Sequence, residues 1–97
     1  MRKDPSIQRR RWRFEGRVQG VGFRAFCRSE AVERNLRGWV RNEAGGAVVV
    51  EAEGPSLAVA DLLGRLQTGH PWARVDRTEA SVLVPANDPG GQFEIRF

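Results

Sequence analysis

Cysteine, lysine and histidine each occur once, as Cys27, Lys3 and His70. A single cysteine excludes an intrachain disulfide and a cysteine-rich metal centre. A single lysine at position 3 excludes the nucleotide-binding loop that requires Gly-Lys-Ser/Thr. No apolar run approaches the roughly 20 residues that span a bilayer. The first residues also lack the apolar stretch of a secretory leader. A cytoplasmic protein without a membrane partner is the expectation. Ninety-seven residues suit one domain, and a chain of this size buries roughly 60–65% of its unfolded surface.

The net charge of +4 is unevenly spread. Arg2, Lys3, Arg9, Arg10, Arg11 and Arg13 outweigh Asp4 in the first thirteen residues, so the remainder is slightly acidic. A nucleic-acid footprint would spread over a folded face. A solvated basic end is the simpler reading, and no nucleic-acid partner is expected. Residues 1–8 lack periodicity and contain Pro5, which predicts a flexible tail ahead of a single domain over residues 9–97.

What the chain does have is a glycine loop between two periodic segments. Residues 9–18 alternate, with Trp12, Phe14, Gly16 and Val18 on one face, as in a half-buried strand. Residues 24–35 favour a helix, with Phe23, Cys27 and Ala31 on its apolar stripe and Asn35 placed for a left-handed terminus. Between them lie Gln19, Gly20, Val21, Gly22 and Phe23, closed by Arg24. Glycines let successive backbone N–H groups converge without a blocking Cβ. A helix starting there adds the positive end of its dipole, and the Arg24 fork matches two phosphate oxygens. That combination suits a phosphoryl group.

Residues 38–43 and 47–53 read as strands joined by the turn Ala44-Gly45-Gly46. Residues 56–68 read as a second helix, striped by Val59, Leu62, Leu63 and Leu66. Residues 73–84 are strand-like with an interruption near residues 77–79 that suggests a bulge. Residues 85–91 read as loop, and Phe93, Ile95 and Phe97 as a last alternating strand. The order is βαββαβ. It predicts an α+β, ferredoxin-like split βαβ sandwich, with an antiparallel sheet and two helices on one face.

The loop admits other readings. Gly20, Gly22 and Ala25 fit a dinucleotide fingerprint, but the hairpin at residues 44–46 replaces the crossover helix that fold needs. A thiol phosphatase would place its cysteine before the arginine, whereas Cys27 follows Arg24 and reads as inert packing. His70, next to Pro71, reads as a solvated loop residue. Asn42 ends the second strand, and its carboxamide can orient a water without becoming charged. It would lie near Arg24 if the second strand paired beside the first.

Gly16-Arg17-Val18-Gln19-Gly20-Val21-Gly22-Phe23-Arg24, then Gly38-Trp39-Val40-Arg41-Asn42, resembles the acylphosphatase family. Gly45, Gly46, Val48, Gly54, Gly69, Ala73-Arg74-Val75 and the aromatic last strand extend the resemblance over most of the chain. Asn35 stands where the family usually has glycine, and Arg34 where it is usually apolar. The resemblance implies hydrolysis of acyl phosphates to carboxylate and inorganic phosphate, without metal or cofactor. It puts the catalytic roles on Arg24 and Asn42, and the phosphate cradle on the backbone of Gln19, Gly20, Val21, Gly22, Phe23 and Arg24. A monomer is expected. The alternative is a non-catalytic ferredoxin-like binding module for RNA or a regulatory partner. An RNA-binding sheet would need exposed aromatics on the third strand, where this chain carries Glu51 and Glu53.

Overall fold

A computed structural model of the chain describes residues 7–86 and 91–97. The elements run β1 (Ile7–Arg17), α1 (Phe23–Glu33), β2 (Arg37–Asn42), β3 (Val48–Pro55), α2 (Ser56–Thr68), β4 (Arg74–Leu83) and β5 (Glu94–Arg96). They build one sheet in the order β4-β1-β3-β2-β5. This is the ferredoxin-like α+β arrangement. Strand β1 starts two residues before the expected boundary, so Ile7 and Gln8 belong to the sheet. The rest of the expected tail lies outside the described residues, as do positions 87–90 of the expected loop.

Alternation decides which side of the sheet is buried. Trp12 and Phe14 of β1, Val40 of β2, and Val48, Val50 and Ala52 of β3 face the helices and are buried. Phe23, Cys27 and Ala31 of α1 meet them, with Val59, Leu62 and Leu66 of α2. Burying each large side chain contributes about 1.5–3 kcal/mol relative to exposure. Helix α1 ends as Asn35 allows: that residue has φ 57°, and the Leu36 N–H donates to the Ala31 carbonyl at 3.0 Å. Arg34 finds polar partners instead of packing. Its guanidinium donates to Glu30 at 2.8 Å and to Asp61 of α2 at 2.8 Å.

Two expectations about the sheet need correction. It is antiparallel except at one edge, where β5 runs parallel to β2 with Ile95 opposite Val40. The second strand also does not lie beside the first. The tight turn at residues 44–46 lets β2 pair directly with β3, and β3 takes the place next to β1. The irregularity in β4 falls one residue before the expected stretch. Pairing passes from Glu15 with Arg77 to Gly16 with Val75, leaving Asp76 without a partner on β1. Gly16 has φ 131°, and a Cβ there would come 2.2 Å from the Arg74 carbonyl oxygen. Only glycine fits.

The face away from the helices is closed by charge. Opposite positions on β1, β3 and β2 put Arg9 and Arg37 on either side of Glu53. Arg9 donates to Glu51 at 2.9 Å and to Glu53 at 3.0 Å, Arg11 donates to Glu51 at 2.8 Å, and Arg37 donates to Glu53 at 3.3 Å. The Ala86 N–H adds a bond to Glu53 at 2.7 Å. Burial works against the charge of Arg9, but the bonds to Glu51 and Glu53 outweigh it and its pKa is raised.

Candidate active site

Beyond Arg17 the chain turns through Val18 to Gly22 before α1 begins. Val18 is buried and pins the turn to the core. Gly20 has φ 76° and Gly22 has φ 79°, a left-handed region that side-chain-bearing residues avoid. Gly22 is the N-cap of α1 and offers no side-chain acceptor to the helix. The first intrahelical bond runs from the Phe26 N–H to the Gly22 carbonyl at 3.1 Å. The N–H groups ahead of it have no carbonyl within the helix to accept them. No acidic residue stands in the first turn. The helix head therefore presents unpaired donors and partial positive charge.

A cavity of about 230 Å³ opens at this end of the sheet. Gly20, Gly22, Phe23, Arg24 and Asn42 line it, together with Val18, Ala25, Ile95 and Phe97. Arg24 and Asn42, eighteen positions apart in sequence, thus border one space although β3 lies between β1, which leads into the glycine loop, and β2, which carries Asn42. The route is the split crossover: α1 carries the chain from the end of β1 over to β2, whose last residue is Asn42. Gln19 and Val21 are not among the lining residues. Val21 packs against the core. The Gln19 Nε2 donates to the carbonyls of Glu43 and Ala47, both at 2.9 Å, and so ties the loop to the β2–β3 hairpin.

The two polar side chains of the cavity are lightly engaged. Arg24 Nη1 reaches the Arg96 carbonyl only at 3.5 Å, and its guanidinium lies 4.8 Å from the centroid of the Phe97 ring. Asn42 Oδ1 is buried and has no hydrogen-bond partner among the described residues. An unpaired buried acceptor costs about 1–3 kcal/mol. Cys27 is elsewhere. It is buried, and desolvation pushes its thiol up, away from the thiolate a nucleophile needs. Among the described residues, no group of three His, Cys, Asp or Glu side chains could hold a metal. None of the described helices is long and apolar enough to cross a membrane.

Ile95 and Phe97 were read from sequence only as members of a strand. The signal for their position is that β5 ends beside Arg41, one residue before Asn42, which requires knowing that β5 joins the sheet next to β2. Phe97, expected within the last strand, lies just past β5 and is 98% exposed. His70 also departs from expectation. It is half-buried, its Nδ1 accepts the N–H groups of Trp72 and Ala73 at 3.1 Å each, and its ring packs against Phe26.

Comparison with known proteins agrees with this architecture. The acylphosphatase family model matches residues 10–95. An acylphosphatase of Synechococcus sp. (strain CC9902) is 42% identical over 96 residues, covering 99% of this chain and 80% of the relative. The crystal structure of acylphosphatase from Bacillus subtilis superposes with a TM-score of 0.83 at 35% identity, covering 93% of this chain and 99% of the other. That of an acylphosphatase from Coxiella burnetii gives 0.88 at 30% identity, covering 99% of both. With its fold, its glycine loop and these matches, the chain belongs to the acylphosphatase family.

Proposed function

We propose that the protein hydrolyses the carboxyl–phosphate bond of acyl phosphates, holding the phosphoryl group on the backbone from Gln19 to Arg24. The Arg24 guanidinium clamps two of its oxygens, and the Asn42 carboxamide aims the attacking water at phosphorus. The water oxygen forms the new P–O bond as the bond to the acyl oxygen breaks. The carboxylate leaves with the electron pair, and the water's surplus proton passes to phosphate or solvent. A carboxylate is already a good leaving group, so the reaction asks for positioned charge and an in-line water more than for a general acid. No metal ion or phosphoenzyme enters the scheme.

The observation that supports this reading is the shared cavity: an open helix head, a lightly held Arg24 and an unpaired Asn42 Oδ1 all border it. Turnover of benzoyl phosphate by the purified protein is the direct test. Protein-dependent release of phosphate, lost in Asn42→Ala, is expected. A rate indistinguishable from buffer would overturn the reading and leave a binding module.

A further inference from the structure

His70 stands in the connection between α2 and β4, behind the glycine loop. Its Nε2 faces Gly22 across a gap, 4.0 Å from the position a Cβ on that glycine would take. It does not line the cavity. Its ring meets the first turn of α1 edge-on, with centroids 5.2 Å from Phe26 and 6.2 Å from Phe23, and Trp72 flanks it at 6.0 Å. The other ring nitrogen is fully occupied. Two backbone N–H groups, of Trp72 and Ala73, point at Nδ1. That nitrogen must be a lone-pair acceptor, which puts the neutral ring's proton on Nε2, the side facing Gly22.

We infer that His70 is a positioning residue for the anion site, its neutral imidazole bracing the first turn of α1, next to Gly22, through Phe23 and Phe26 from outside the cavity. The inference rests on the phosphate-holding role proposed above. Gly22 caps the helix whose free N–H groups line the cavity, and its left-handed backbone has no side chain to hold it. The imidazole instead holds the turn that follows it, through the rings of Phe23 and Phe26. A second proton on the ring would sit on Nδ1, directly opposed to two N–H donors. Both bonds would be lost, and the ring would leave its seat. The carboxylates on the surrounding elements are Glu30 and Glu33 of α1, Asp61 of α2, Glu15 of β1, and Asp76 and Glu79 of β4, and the cations include Arg24 and Arg28 of α1, Arg65 of α2, Arg17 of β1, and Arg74 and Arg77 of β4. Glu30 pairs with Arg34 and Arg65, Asp61 with Arg34, Glu15 with Arg13, Asp76 with Arg74 and Glu79 with Arg77, while Glu33 stands at the opposite end of α1 from Phe23 and Phe26, so no unpaired carboxylate is in place to hold the protonated ring. Acid is thus expected to loosen the cradle.

Sulfate is the probe, because it stays a dianion throughout the range used. Its affinity is measured by calorimetry from about pH 8 to about pH 5, beside thermal unfolding, for the intact protein, His70→Asn and His70→Ala. The Asn oxygen can accept both N–H groups but cannot gain a proton. The intact protein should lose about fivefold in affinity across the range, the worth of roughly one net hydrogen bond. His70→Asn should match it at high pH and stay flat. His70→Ala should be weaker by about the same factor at every pH. Equal slopes for the intact protein and His70→Asn would overturn the release step. Unchanged affinity in His70→Ala would overturn the brace. Affinity that rises in acid for the intact protein alone would mean the ring acts as an added cation. Failure of the intact protein to bind sulfate at high pH would instead refute the phosphate-holding reading.

Discussion

The two ends of the arginine inventory behave differently. On the open face of the sheet, guanidinium groups are consumed: Arg9, Arg11 and Arg37 all donate to Glu51 or Glu53, carboxylates with 6% and 1% exposure. At the head of α1, Arg24 meets only a carbonyl at 3.5 Å and an aromatic ring. The same side chain serves stability where carboxylates face it across the strands and remains available where none does. Neighbouring register decides the outcome. Arg9 lies opposite Glu53 in the β1–β3 ladder, whereas Arg24 sits on a helix turn without an acid.

Exchanging the two regions' substitutions sharpens this contrast. Arg24→Ala should lower kcat/KM for benzoyl phosphate by about 100-fold to 1,000-fold, the scale for removing a positioned charge donor. Arg24→Lys should recover little, because a point charge does not reproduce the fork. Unfolding of both variants should stay close to the parent. Asn42→Ala should abolish turnover while inorganic phosphate still binds, measured by calorimetry. If phosphate binding vanished while bound substrate still turned over, the water-orienting role would be wrong.

Glu53→Ala should do the reverse. It removes one of the two carboxylates that Arg9 binds, a carboxylate partner of Arg37 and the acceptor of the Ala86 N–H. The cost is roughly 2–3 kcal/mol in denaturant unfolding, below that of a fully buried pair because both guanidiniums keep some solvent. The folded fraction should retain near-normal kcat. A large kcat loss without a stability change would break the division between the regions.

Cys27 gives a pH signature inside the core. Desolvation raises its thiol above the ordinary value, so the folded state keeps a proton that the unfolded chain releases. The stability from this group is complete below about pH 8.5 and declines as pH rises, by at most about 1.4 kcal/mol per unit. Cys27→Ala should flatten that alkaline limb in unfolding curves. The smallest effect belongs to Asn35→Gly. At φ 57° glycine removes the side chain's strain but adds unfolded-state entropy, so the shift should stay within about 0.5 kcal/mol.

Local chemistry explains what could be read without coordinates. The alternation of Trp12 and Phe14, the stripe of Phe23, Cys27 and Ala31, and the left-handed Asn35 each follow from a few neighbouring residues, and each holds in the structure. What failed is non-local. Nothing near Asn42 says that β3 will slip between β1 and β2, or that β5 will run parallel at the far edge. Glu51 and Glu53 read only as acids unfavourable to base stacking, because their arginine partners lie 16 to 44 positions away. His70 looked solvated for the same reason: its aromatic neighbours Phe23 and Phe26 come from the other helix.

The Gln19 side chain, bridging to two carbonyls of the β2–β3 hairpin, has a mechanical corollary. Glycine loop and hairpin are coupled like two leaves on one hinge pin, so quieting either restrains its companion. Amide exchange at Gly45 and Gly46, remote from any ligand, should slow when the cavity fills. Gln19→Ala should sever that response while leaving both segments folded.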